Sequence, residues 1–310
     1  MQTLTETITM SDACKLVLHS WLPEKEPEIL VFLNHGMAEH SSRYAHVAQK
    51  FTENNIALFA HDMRGHGESC PDDENLGFFC KKDGFNKVTG DLLELIKLTK
   101  ERFPEKPLFL LGHSFGSFVA QNFIEKYGNE ISGCILSGSA GPRTALGLSL
   151  YLVASLFCLF QGQKKRSKFL TWCSFGTYND HFKNEDPEKL NWISSDKQVV
   201  DAYMDDKYCG FMVTNAFNRD LGYGLSTIHL KKNMKKIPKE LPLLIFCGTE
   251  DPVGTYTKTV KELVKCYKKL GIKNIKEKYY QDGRHEMFNE VNKDEVIADV
   301  IDWLKINGCQ

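Results

Sequence analysis

The sequence predicts an α/β protein: a mostly parallel central sheet flanked by helices, with an inserted helical cap. Three observations lead there. Apolar, β-branched runs recur with amphipathic stretches between them, the pattern of strands joined by helical crossovers. The rhythm breaks between about 142 and 236, where no good buried strand can be read. The 310 residues, 42% hydrophobic and 25% charged, suit one large domain or a core with an insertion.

Each element has its own justification. Segments 2–9 and 14–21 alternate in polarity, as a half-exposed edge hairpin does. The central strands read as "ILVFLNHG" (29–36), "IALFAHD" (56–62), "PLFLLGHS" (107–114), "ISGCILSGS" (131–139) and "PLLIFCGTED" (242–251). These near-continuous apolar runs fit strands covered on both faces. Amphipathic helices fit 42–54, 86–103, 116–127, 257–270 and 292–306. Residues 142–236 then form a mostly helical insertion over one edge of a core made of 1–141 and 237–310.

Composition removes several classes of function. A formal net charge of −1 provides no global field to draw in nucleic acid. The ten cysteines contain no C-x-x-C pair, several lie in strand-like runs, and the start "MQTLTETITMSD" lacks a secretory pattern. A reducing, cytoplasmic setting is expected. No metal or cofactor is expected, because His and Cys lack ligand spacing. The longest apolar run, "LGLSLYLVASLFCLF" (146–160), spans roughly 22 Å as a helix, short of the roughly 30 Å hydrocarbon core of a bilayer.

Chemistry enters at "LLGHSFGSFVAQ" (110–121), where Gly112 and Gly116 flank Ser114 between a strand and a helix. A serine hydroxyl needs a base, the base needs an orienting acid, and the oxyanion needs backbone N–H donors. The G-x-S-x-G spacing fits a sharp nucleophile elbow; the plainer alternative is a glycine-flanked strand–helix turn. Asp251 closes the run 242–251 and offers the acid. Its neighbour Glu250 is a rival that points the other way on a strand end, and Asp251 taken alone reads better as the cap of a helix beginning near Thr255. Ten histidines compete for the base, but in the chain order Ser…Asp…His only His285 follows Asp251. The N–H groups of Met37, in "NHGMAEH", and of Phe115 are the expected oxyanion donors. Arg64 and His66 in "DMRGHGES" are expected to brace a turn.

Taken in order, HGMAEH, DMRGHGES, GHSFG, GTEDPV and DGRHE resemble the α/β-hydrolase family, in its monoacylglycerol lipase and lysophospholipase-like branch. The likeness covers roughly 10–141 and 237–306, and "NWISSDKQVVDAYMDDKYCGF" resembles the cap of bacterial members. It implies an α/β-hydrolase fold, with Ser114 as nucleophile, Asp251 as orienting acid, His285 as base, and Met37 and Phe115 as oxyanion donors. Ester hydrolysis of a medium- or long-chain monoacyl lipid is the implied reaction. A short-chain esterase, a thioesterase, an aminopeptidase or a non-catalytic binding protein on the same fold are the alternatives. The run 146–160 and the cluster "QGQKKRSK" beyond it suggest an acyl site, with Leu152 and Leu156 as lining candidates, or peripheral membrane contact, or both; a buried cap helix followed by a solvated charge run is the bland reading.

Overall fold

The computed structural model describes residues 1–70, 72–182 and 184–308. The chain opens with strands β1 (Gln2–Thr9) and β2 (Lys15–Leu22), an antiparallel hairpin in which Thr5 faces His19. There follow β3 (Ile29–Asn34), α1 (Ala45–Glu53), β4 (Ile56–His61), α2 (Gly84–Arg102), β5 (Leu108–His113), α3 (Phe115–Tyr127) and β6 (Gly133–Ser137). Five helices come next: α4 (Thr144–Phe160), α5 (Lys168–Phe175), α6 (Lys197–Asp205), α7 (Asn215–Thr227) and the short α8 (Lys231–Met234). The chain closes with β7 (Leu243–Gly248), α9 (Lys258–Lys269), β8 (Ile275–Tyr280) and α10 (Lys293–Gly308).

The eight strands form one sheet in the order β1-β2-β4-β3-β5-β6-β7-β8. All pairs from β4 to β8 are parallel, and β2 joins β4 antiparallel. Side-chain alternation divides the core into two layers. Leu30, Phe32, Leu108 and Leu110 pack with residues of α2, α3 and α9. Val31, Leu33, Phe109 and Leu111 pack on the opposite side with α1 and α10. Burial on both faces is why these strands read as continuous apolar runs.

The segment between β6 and β7 leaves the carboxyl end of β6 and returns to the amino end of its parallel neighbour β7; on the way α4 and α5 line a cavity together with Gly36, Ser114 and His285, which follow the carboxyl ends of β3, β5 and β8. Its helix α7 sends Phe217, Leu221 and Leu225 into the α2–α3 layer of the core. Helix α4 packs along α7, burying Gly147 and Ala154. Side-chain caps fix three of these helices: Ser167 Oγ accepts from Leu170 N–H, Asp196 Oδ1 from Gln198 N–H, and Thr214 Oγ1 from Phe217 N–H.

The paired strands are shorter than the runs read for them, as at 131–139, which pairs over Gly133–Ser137, and one case bears on the site. Residues 242–251 read as a single strand, yet pairing stops at Gly248. Asp251 therefore belongs to a turn, and strand alternation does not set its direction.

Candidate active site

Ser114 sits between β5 and α3 at φ 52°, ψ −121°, a backbone conformation that costs an L-residue of order 1–3 kcal/mol. The surrounding contacts hold it there. Ser114 N–H donates to Ser137 O at 3.0 Å, and Ser117 N–H donates back to Ser114 O at 2.9 Å. A Cβ on Gly116 would lie 2.0 Å from Asn34 O, and one on Gly112 would lie 2.5 Å from Gly116 O. Only glycine lets α3 start this close to β3 and β5, which answers why the serine is flanked as it is. Phe115 is the first helical residue, so its N–H has no partner four residues back inside the helix.

His285 and Asp251 meet in the loops after β8 and β7. Asp251 is fully buried, and its Oδ1 lies 3.0 Å from His285 Nδ1 and accepts Val253 N–H at 2.8 Å. The turn decides the orientation: Glu250 N–H is tied to Gly283 O, and Tyr256 N–H to Asp251 O. Glu250 is left partly exposed while Asp251 points inward. Burial alone would depress the His285 pKa, but the Asp251 carboxylate overrides it and raises it above the ordinary imidazole value. The His285 ring lies against His113, at 4.8 Å between centroids, and against Trp192, at 5.0 Å. Burial pushes the His113 pKa down to about 4, so that ring is neutral beside it.

Ser114, His285, Met37 and Phe115 all open into one cavity of about 680 Å³. The loop carrying Met37 approaches the serine closely, since a Cβ on Gly36 would lie 3.2 Å from Ser114 Cβ. Leu146, Leu150 and Val153 of α4, Phe118 of α3 and Leu225 of α7 give the cavity an apolar wall. The lining expectation for Leu152 and Leu156 is corrected here. Neither borders the cavity; both are exposed on the outer face of α4. Positions 146, 150 and 153 share one helical stripe, while 148, 152, 156 and 159 share another. Because both stripes are leucine-rich, sequence alone does not tell them apart.

Arg64 and His66 are structural. Arg64 donates to both oxygens of Asp91, at 2.5 and 2.6 Å, and to Asp12 at 2.8 Å, while His66 stacks on Phe79. Trp192 escaped the sequence reading as a site residue, because nothing in its spacing links it to a histidine 93 positions later. The same holds for a buried group formed by Glu39, Arg43 and Glu286. Two sets of three residues also gather ligand-type atoms within 4.8 Å: His40, Asp206 and Cys209, and His19, Asp62 and Glu68. In the first, His40 Nε2 and Asp206 Oδ2 already satisfy each other at 2.9 Å.

Comparison with known proteins identifies the family. The Hydrolase_4 family model, described as serine aminopeptidase S33, matches residues 25–292. A monoacylglycerol lipase of Mycolicibacterium smegmatis is 29% identical over 295 residues, covering 94% of this chain and 92% of the relative. A monoglyceride lipase of Rattus norvegicus is 27% identical, covering 78% of this chain and 71% of the relative. Among solved structures, a thermostable carboxyl esterase from Bacillus coagulans in complex with glycerol superposes with a TM-score of 0.90, at 26% identity and 98% coverage of both chains. The chain belongs to the Hydrolase_4 family of α/β-hydrolases, and it is a serine hydrolase of the branch whose relatives carry the name monoacylglycerol lipase.

Proposed function

We propose that the protein hydrolyses carboxylic esters of medium- or long-chain monoacyl lipids through an acyl-enzyme on Ser114. The observation that carries this reading is that the strained Ser114 and His285, itself paired with the buried Asp251, open into the same mainly apolar cavity. Its volume is that of a small-molecule site, which typically runs to roughly 300–1,000 Å³. In the proposed reaction His285 Nε2 takes the Ser114 proton as Oγ attacks the ester carbonyl. Asp251 keeps the proton of neutral His285 on Nδ1 and stabilises the imidazolium that forms. The N–H groups of Met37 and Phe115 receive the oxyanion. His285 then protonates the leaving alcohol, and water repeats the sequence on the acyl-enzyme.

The family description includes aminopeptidases, which must hold a substrate ammonium. Both carboxylates lining this cavity, Glu39 and Glu286, are ion-paired with Arg43, which favours the ester reading. The names of the lipase relatives favour it further. In this reading residues 142–236 act as the cap that supplies the acyl-binding wall.

The outer face of α4 supports peripheral membrane contact. Leu148, Leu152, Leu156 and Leu159 are exposed there, and the exposed cations Lys164, Lys165 and Lys168 follow α4 in the chain. Apolar residues beside cations suit an anionic lipid surface. Leu146, Val153 and Phe169 are exposed and also line the cavity, so its apolar wall reaches the surface. No described helix is long and apolar enough to cross a membrane. The nine cysteines among the described residues are free, as suits a reducing compartment.

The test is a panel of esters varying in acyl length and head group, with aminoacyl arylamides as a counter-panel. Turnover that rises with acyl length and is absent on arylamides supports the proposal. The opposite ranking overturns it.

A further inference from the structure

Arg43 lies between the two loops that the proposed reaction depends on. Its Nη1 donates to Glu39 Oε2 at 2.7 Å and to Glu286 Oε1 at 2.8 Å, and its Nη2 donates to Glu286 Oε2 at 2.7 Å. All three side chains are shielded, Arg43 the least so at 12% exposure. The guanidinium also stacks on the Tyr203 ring, 4.8 Å from its centroid.

Each carboxylate is fastened to a piece of the site. Glu39 Oε1 accepts Gly36 N–H at 2.5 Å and Tyr44 OH at 3.0 Å, so it closes the turn that contains Met37. Tyr203 OH donates to Ala38 O at 2.8 Å and braces the same turn. Glu286 directly follows His285; its Oε2 also accepts from Asn289, and its N–H donates to Ile193 O at 2.8 Å. Burial would push the Glu286 carboxyl up, but the guanidinium overrides this and holds it below the usual range.

We propose that Arg43 is a positioning residue for acyl transfer, bridging Glu39 and Glu286 so that the loop bearing the Met37 N–H keeps its register with the loop bearing His285. The proposal rests on the serine-hydrolase reading above. Its physical basis is that a buried ion triad adds little net stability over a neutral core of the same volume. What this triad supplies is geometry, through a planar fork that fixes both carboxylates at once. An error of about 1 Å between base and oxyanion donors can cost about a hundredfold in rate. The triad also carries one net negative charge beside His285, whose other close titratable neighbours are Asp251 and the neutral His113.

Two variants test this, Arg43→Lys and the neutral triple Glu39→Gln/Arg43→Met/Glu286→Gln. Lysine keeps the charge but cannot make the fork; the triple removes all three charges and avoids stranding any of them. With a soluble short-chain ester, both should lose about tenfold or more in kcat with KM within about twofold. The triple should also move the acidic limb of kcat/KM to lower pH, because negative charge near His285 is gone, and Arg43→Lys should leave that limb in place. A folded triple variant, judged by Tm, with wild-type kcat and an unmoved limb would overturn the proposal. So would wild-type kcat in Arg43→Lys. Fluorophosphonate labelling of Ser114 in the unmodified protein tests the underlying reading separately: if it fails, that reading falls, whatever the Arg43 variants do.

Discussion

His285 Nδ1 and Asp251 Oδ1 stand 3.0 Å apart although their residues are 34 positions apart in the chain. Since the carboxylate can only accept, the bond places the proton of neutral His285 on Nδ1 and leaves Nε2 basic. Asp251→Asn should preserve the fold but favour the wrong tautomer, lowering kcat on the order of 10⁴-fold. Glu250→Gln, at a partly exposed position whose N–H is held by Gly283, should change kcat less than about twofold. Steady-state kinetics on one ester checks both, and the reverse ranking would move the acid to Glu250.

The same pair sets a pH dependence. His285 must be neutral to act as a base, and its pKa is raised above the usual 6.5. Activity should therefore fall with acidification through a midpoint above 6.5 in a plot of kcat/KM against pH. Weakening the pair should lower that midpoint.

Ser114→Ala should abolish fluorophosphonate labelling and lower kcat by roughly 10⁴-fold or more, leaving only what the oxyanion donors and binding provide. Mass analysis of the labelled peptide identifies the site. Label retained in the alanine variant would refute the nucleophile assignment.

Gly116→Ala should be poorly tolerated, because its Cβ would meet Asn34 O at 2.0 Å and His35 O at 2.4 Å. Both are backbone atoms and cannot rotate away. A loss of about 2 kcal/mol or more is expected from overpacking. Chemical denaturation measures it, and a variant of unchanged stability would mean that the elbow is looser than described.

The two faces of α4 should separate into two phenotypes. Removing two methylenes from the acyl chain costs up to about 1.6 kcal/mol, roughly fifteenfold in kcat/KM. Leu150→Asp and Val153→Asp, on the cavity wall, should flatten that dependence. Leu152→Asp with Leu156→Asp, on the outer face, should leave acetate-ester hydrolysis unchanged and weaken sedimentation with anionic vesicles about tenfold or more. Equal effects from both pairs would mean that the faces share one role.

Acid should destabilise the fold. Burial lowers the pKa of His35 and His113 to about 4, and of His61 and His66 to about 3. With folded values below the unfolded 6.5, the unfolded chain binds protons first, so stability is full above 6.5 and declines as pH falls toward 3–4. Each such histidine contributes up to about 1.4 kcal/mol per pH unit. His46 and His229 are lowered in the same way, so six histidines act together, while the raised pKa values of His285, Glu125, Asp220 and Asp91 favour the folded state in acid and oppose them. Urea midpoints at pH 7.5 and 5.5 check the direction.

The sequence by itself determined the parallel core, the glycine-flanked turn at Ser114 and the chain order that singles out His285. These are local facts. Strand burial on both faces is written as apolar runs, and the elbow is written as two glycines because backbone atoms crowd both positions. Direction was left to tertiary structure. Asp251 rather than Glu250 faces His285 because a turn, pinned by Gly283 and Tyr256, rotates it inward after the strand has ended. Leu150 rather than Leu152 lines the cavity because α7 selects which of two leucine stripes on α4 turns inward. Arg43 and Glu286 meet across 243 residues, and periodicity, which reports burial within one element, carries no information about a partner at that distance.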